Sequence, residues 1–167
     1  MNKPLPAHGE DKPSQAFEEI YERQFDTVYR VCYSYMKNAA DTEDMVADVF
    51  EKLLKSKTAF IDLEHEKAWL LRTAINRCKD FLKNWWRGRV NLDSYEDAEA
   101  LNPFSESEML KVILDLPKRY KDAIYLHYYE GYSTAEVAQI LKKPQSTIRN
   151  HLSEARKLLK GVLENEE

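Results

Sequence analysis

Between Ala16 and Glu164 the chain carries almost no backbone breakers, and that scarcity restricts its architecture more than any other feature. It has 4 glycines and 6 prolines, and Pro4, Pro6 and Pro13 fall within the first 13 residues. Long unbroken elements are therefore expected, which favours helices over a many-stranded sheet. Apolar residues recur at helical steps. Phe17, Ile20, Tyr21, Phe25, Val28, Tyr29, Cys32 and Tyr35 fall on one stripe of a helix that should extend to about Lys37. With 167 residues, 43% of them hydrophobic, the chain has enough apolar material for two compact helical units.

Asn38 to Asp41 interrupt the first helix, and Asp41 or Thr42 can cap the next, where Glu43 and Asp44 suit a first turn. That second helix should run to about Lys55, burying Met45, Val46, Val49, Phe50, Leu53 and Leu54 and leaving Asp44, Asp48, Glu51 and Lys52 outward. Ser56 to Glu66 loses the period and reads as a loop, although Phe60, Ile61 and Leu63 place three apolar side chains there. A third helix is expected from Lys67 to about Arg87, with Trp69, Leu70, Thr73, Ala74, Arg77, Cys78, Phe81 and Leu82 divided between an inner stripe and a basic flank. It ends in Trp85 and Trp86 beside Arg87, a pair that suits either base stacking or closure of a small core. Asn91 to Ser107 has no steady period and reads as a linker.

The formal net charge of −4 conceals a segregation. Glu10 to Glu66 holds 7 basic and 14 acidic residues, whereas Lys67 to Val90 holds 7 basic residues and only Asp80 as an acid. Asn91 to Met109 carries six acids and no base, and Pro117 to Lys160 carries 9 basic against 4 acidic residues. Two basic blocks flank an acidic connector. Phosphate binding needs local positive potential rather than a positive total, because screening acts over about 8 to 10 Å. The same counts also fit an ordinary solvated surface.

Other classes of function find little support. Cys32 and Cys78 make neither a disulfide framework nor a CxxC pair, and read as small buried residues. His8, His65, His127 and His151 are scattered, with no HExxH spacing and no glycine-rich phosphate loop. No metal, cofactor or catalytic site is expected, so the chain reads as a non-enzyme. No segment has the apolar length of a signal peptide or a membrane span, which places the chain in the cytoplasm without membrane insertion.

The strongest local signal lies near the C-terminus. Leu110, Val112, Ile113 and Leu116 open a second domain, Pro117 suits a helix start, and Gly131 suits its end. Ser133 is followed three residues later by Glu136, a capping-box spacing. Val137, Ile140 and Leu141 supply a buried face, Lys142-Lys143-Pro144 makes a break, and Ile148, Leu152, Ala155 and Leu159 supply the inward face of a further helix. This is the arrangement of a helix-turn-helix, whose second helix offers polar side chains to the major groove. Its outward set is Arg149, Asn150, Ser153, Arg156 and Lys157, with Gln145, Ser146 and Thr147 at its start. Arg can read guanine and Asn adenine through paired hydrogen bonds. A capped helix pair with a basic surface also occurs in bundles that touch no nucleic acid.

From about Phe17 to Lys160 the sequence resembles the bacterial RNA polymerase sigma factors of the two-domain extracytoplasmic-function (ECF) class. Asp41 to Phe50 (DTEDMVADVF) looks like the family's core-binding helix, Ala68 to Arg77 (AWLLRTAINR) like the segment that melts and reads the −10 element, and Leu116-Pro117-Lys118-Arg119 with Tyr128 to Ser133 and the helix-turn-helix like the −35 reader. The resemblance implies an all-α fold of two small helical domains. A region-two-like domain would occupy 10–90, an acidic linker 91–109 and a region-four-like helix-turn-helix domain 110–163. It implies promoter recognition, promoter melting and transcription initiation, with core RNA polymerase (its β′ clamp and β subunits), promoter DNA and an anti-sigma factor as partners. Asp44, Asp48 and Glu51 would face polymerase. Phe60, Ile61, Asp62 and Asn76 would border a captured −10 base, and Arg72, Arg77, Lys79, Lys83 and Arg87 would hold that strand's phosphates. Ser146, Thr147, Arg149, Asn150, Ser153 and Arg156 would serve the −35 element. Two departures stand out: Glu154 replaces a common Arg or His, and Lys142-Lys143 replaces a common Gly-Val before the turn. The competing reading is a stand-alone dimeric helix-turn-helix regulator binding two half-sites.

Overall fold

Helix α1 spans Lys12–Met36, α2 Ala39–Lys55 and α3 Leu63–Gly88. After the connector come α4 at Lys118–Ile124, a π-helical turn at Tyr125–Tyr129, α5 at Thr134–Leu141 and α6 at Gln145–Asn165. In the computed structural model of the chain the described residues are 12–88 and 116–165, and they contain helices and no strand. The acidic connector at 91–109 and Leu110, Val112 and Ile113 lie outside the described residues, as do the side chains of Trp85, Trp86 and Arg87.

Several boundaries differ from expectation for identifiable reasons. Helix α1 begins at Lys12 rather than near Phe17, because a proline in a first turn gives up an amide that has no intrahelical partner anyway. Neither Asp41 nor Thr42 caps α2. Asn38 does, its side chain accepting from the Asp41 amide at 2.8 Å. Helix α3 begins at Leu63 rather than Lys67, because Asp62 turns its carboxylate onto the His65 amide at 2.7 Å while its carbonyl accepts from Glu66 at 3.1 Å. Leu54, expected in the core, is 61% exposed because the apolar arc of α2 is narrower than its sequence stripe.

Helices α1, α2 and α3 pack on one another as a first bundle, and α4, α5 and α6 with the π turn form a second. Val28, Val31, Cys32, Met45, Val49, Leu70, Leu71, Ala74, Ile75 and Cys78 fill the first, and Ala123, Ile124, Leu126, Val137, Ile148, Leu152 and Ala155 the second. Both cysteines are fully buried, and the Cys32 thiol is pushed well above its ordinary pKa by its hydrogen bond with Cys78 and by burial. The two bundles are not separate bodies. Their buried residues form one apolar cluster, and α3 packs on α5.

Gly131 ends the π turn with φ of +83°, a left-handed conformation that glycine adopts without strain. The Tyr132 amide then reaches back to the Leu126 carbonyl at 3.0 Å, and His127 Nδ1 lies 2.6 Å from the Tyr132 carbonyl. This tight reversal brings Ser133 to the start of α5, where both halves of the expected capping box form: the Ser133 hydroxyl accepts from the Glu136 amide, and the Glu136 carboxylate from the Ser133 amide.

Candidate nucleic-acid interface

On α2 the outward carboxylates are not equivalent. Asp44 is exposed. Glu51 is exposed and pairs with Lys55 one turn on at 2.6 Å, which holds its carboxyl below its ordinary pKa. Asp48 is committed elsewhere: it accepts from Arg77 of α3 at 2.7 and 2.9 Å. Two residues expected on different surfaces, one for polymerase and one for DNA, are thus joined to each other.

The segment before α3 is anchored from within. Phe60 is half-buried, edge-on to Trp69 at 5.7 Å and to His65 at 5.4 Å. Ile61 projects with 87% exposure, its amide donating to His65 Nδ1 at 3.1 Å, and Asp62 is occupied in capping α3. The expected capture loop therefore ends at Asp62, and Leu63 to Glu66 are helical. Glu66 is buried and accepts from Arg23 at 2.9 and 3.0 Å and from Gln24 at 3.0 Å, which locks the start of α3 to α1.

Along α3 the basic flank divides. Asn76 and Lys83 are exposed, whereas Arg72 and Lys79 are half-buried. Arg72 and Asn76 line an open cleft of about 220 Å³ with Lys52 and Trp69, to whose wall Leu141 and Lys142 of the second bundle also contribute. Lys79 points into the second bundle and pairs with Asp122, whose side chain is fully buried. The structure thus brings Arg72 and Asn76 together and engages Lys79, whose side chain stays 31% exposed, in an ion pair with the second bundle.

The helix-turn-helix has the geometry read from its sequence. Lys142 caps α5 in the left-handed conformation, φ 53° and ψ 48°, and the Ile148 amide reaches the Pro144 carbonyl at 3.2 Å as α6 starts. Ile148, Leu152 and Ala155 are buried, while Ser146, Arg149, Asn150, Ser153 and Arg156 are exposed and Thr147 half-exposed. Arg156 donates to the Tyr128 hydroxyl and lies over that ring at 5.5 Å. Glu154 is answered one turn on by Lys157 at 3.3 Å. Among the described residues, Ser146, Arg149, Asn150 and Ser153 make no side-chain hydrogen bond or ion pair, so this polar edge is unspent.

Sequence reasoning missed the residues that join the bundles. Lys121 and Asp122 look like a solvated pair, yet they are 3% and 0% exposed. The only available signal was their position beside Ala123 and Ile124 on a short helix that cannot bury four successive residues against one neighbour. No group of His, Cys, Asp or Glu among the described residues is placed to hold a metal, and no helix there is long and apolar enough to cross a membrane.

Comparison with known proteins agrees with this layout. Residues 20–88 match the family model for sigma-70 region 2, and residues 107–159 that for sigma-70 region 4. Together these segments make up more than two thirds of the chain. The sequence is 29% identical over 144 residues to the RNA polymerase sigma factor SigV of Bacillus subtilis, covering 83% of this chain and 86% of that protein. It is 25% identical over 166 residues to the ECF RNA polymerase sigma factor SigW of the same organism, covering 89% of each. In fold it is similar to the sigma factor RpoE of Bartonella quintana, solved in complex with the anti-sigma factor NepR, with a TM-score of 0.66, 18% identity, and coverage of 92% of this chain and 99% of that one. The match of the first bundle to region 2 disfavours the stand-alone dimeric regulator. The chain belongs to the sigma-70 family and is an RNA polymerase sigma factor of the extracytoplasmic-function class, directing transcription initiation through its regions 2 and 4.

Proposed function

We propose that promoter recognition is divided between the two bundles, with residues 10–90 serving core polymerase and the −10 element and residues 110–163 serving the −35 element. The observation that carries this division is the edge of α6, where Ser146, Arg149, Asn150 and Ser153 are exposed and unpartnered on a helix whose other side is locked into the bundle. Rigid backing with a free polar edge is what base readout requires. Arg149 and Asn150 reach base edges, and Ser146, Thr147, Ser153 and Arg156 position the backbone. In the first bundle, Ile61 and Asn76 border the unpaired strand, Phe60 and Asp62 hold the loop that carries Ile61, and Arg72, Arg77, Lys79, Lys83 and Arg87 supply phosphate contacts. The chain acts by binding and performs no chemistry itself, working in the cytoplasm with polymerase and promoter DNA.

Asp44 and Glu51 are the polymerase contacts on α2. Asp48 serves that face less directly, since its pairing with Arg77 makes it a joint between α2 and α3. An anti-sigma factor is a further partner, supported by the likeness in fold to a sigma factor solved with one.

The test is reconstitution: core polymerase, this chain and genomic fragments, with start sites mapped. Start-site-specific synthesis that depends on the chain supports the reading, and its absence on every template overturns it. Within that assay, Asp44→Lys with Glu51→Lys should abolish co-elution with core polymerase while helical circular dichroism stays intact, because neither side chain packs in the core. Arg149→Ala should weaken −35 binding by about 1–3 kcal/mol and relax the base preference at one position, the signature of a lost paired contact.

A further inference from the structure

The cations where the two bundles meet fall into two groups. One group is answered: Lys79 pairs with Asp122, Lys67 of α3 pairs with Glu130 at 2.9 Å, the buried Lys121 ammonium donates to the Ser34 carbonyl at 2.9 Å, and the Arg30 guanidinium lies over the Tyr129 ring at 5.8 Å. The other group is not. Lys52 in the last turn of α2, Arg72 on α3 and Lys142 at the end of α5 line the same open cleft of about 220 Å³, and among the described residues none of the three has a carboxylate partner. The acids nearest Lys52 along α2 are committed, Asp48 to Arg77 at 2.7 Å and Glu51 to Lys55 at 2.6 Å.

Three positive charges brought by three helices to one small volume repel one another, and a cleft walled by one sign of charge focuses its field on what enters. Lys142 adds a backbone cost, because φ of 53° is a conformation that a side chain disfavours. A lysine held there at a cost points to a use for its ammonium. The volume is smaller than the roughly 300–1,000 Å³ of a pocket for a drug-sized molecule, so the anion it suits is compact. A nucleic-acid strand spreads its charge one per nucleotide along a line, whereas linked phosphates gather several charges in one place. Convergent cations match the second distribution. An arginine fork takes two phosphate oxygens at once, and lysines act beside it as point charges.

We propose that this cleft binds an oligophosphate, a short run of linked phosphate groups either free or as the head of a nucleotide, held by Lys52, Arg72 and Lys142 with the Asn76 amide beside them. The site goes beyond the strand contacts given under Proposed function, because Lys52 and Lys142 belong to none of them.

Calorimetric titration of the full chain with sodium tripolyphosphate, without DNA or polymerase and with ionic strength held constant by sodium chloride, reads the site. Saturable binding of one tripolyphosphate per chain is expected, weaker for pyrophosphate and weaker again for orthophosphate. ATP titrated in parallel separates the two sources: tighter binding assigns the site to a nucleotide head, and equal or weaker binding to a free phosphate chain. Lys52→Ala and Lys142→Gly should each lower tripolyphosphate affinity by about fivefold or more. The second variant relieves the left-handed turn, so its loss of binding is not loss of fold. Lys57→Ala, at an exposed lysine outside the cleft, should leave affinity unchanged. Equal losses from all three variants mark attraction to bulk charge and overturn the site, as does a loss seen with Arg149→Ala in their place. Absence of saturable binding overturns it outright. If Lys52→Ala and Lys142→Gly weaken only a single-stranded oligonucleotide, the cleft belongs to the strand and the proposal falls. Failure of promoter-directed synthesis instead overturns the reading under Proposed function and leaves tripolyphosphate binding in place.

Discussion

Glu66 shows how much one carboxylate can organise. It is 4% exposed and accepts three hydrogen bonds from α1, two of them from Arg23. Glu66→Ala strands the buried Gln24 amide and the half-exposed Arg23, and should lower stability by about 1–3 kcal/mol, measured by urea unfolding. His151 titrates in the opposite sense to a stabilising cation. Burial lowers its pKa below the ordinary 6.5, Lys143, Arg119 and Lys79 push the same way, and Asp122 pushes against them. Its Nδ1 is buried without a hydrogen-bond partner, and its ring packs edge-on to Tyr120. The unfolded chain therefore takes up this proton more readily than the folded one. The stability tied to neutral His151 is complete above pH 6.5 and is lost as pH falls through the lowered folded value. His151→Phe should flatten that part of a plot of Tm against pH, leaving the carboxylate-driven loss at more acid pH in place.

At the scale of elements, the turn between α5 and α6 carries a cost that can be removed. Lys142 is left-handed at φ 53°, a conformation that disfavours a side chain. Lys142→Gly should raise stability by about 0.5–1 kcal/mol in chemical denaturation, whereas Ser133→Ala, which removes the cap of α5, should cost about 1 kcal/mol. Both sites were legible in the sequence, the first as a departure from the family's glycine and the second as the Ser133 to Glu136 spacing. The starts of α1 and α3 were not, because each is set by a single local bond or an unneeded amide rather than by apolar period. The π turn was also invisible, since Tyr125 to Tyr129, whose first and last rings stack at 5.0 Å, has the composition of ordinary helix.

For the molecule as a whole, period and charge revealed two helical bundles and the polar edge of α6, but not that the bundles share one core. That core predicts a single cooperative transition by calorimetry for the unsubstituted chain, and two for the Lys121→Ala, Asp122→Ala variant. Docking left no trace in the pattern because its contacts are lysines, arginines and tyrosines whose sequence signature is that of a wet surface. The cysteines lead elsewhere. A thiol reacts as thiolate, so Cys32, buried against Cys78 and held protonated, is shielded from alkylating reagents in the native molecule. The rate at which a maleimide consumes these two sulfurs is then a clock for global opening of the first bundle, ticking only when α1 and α3 part company.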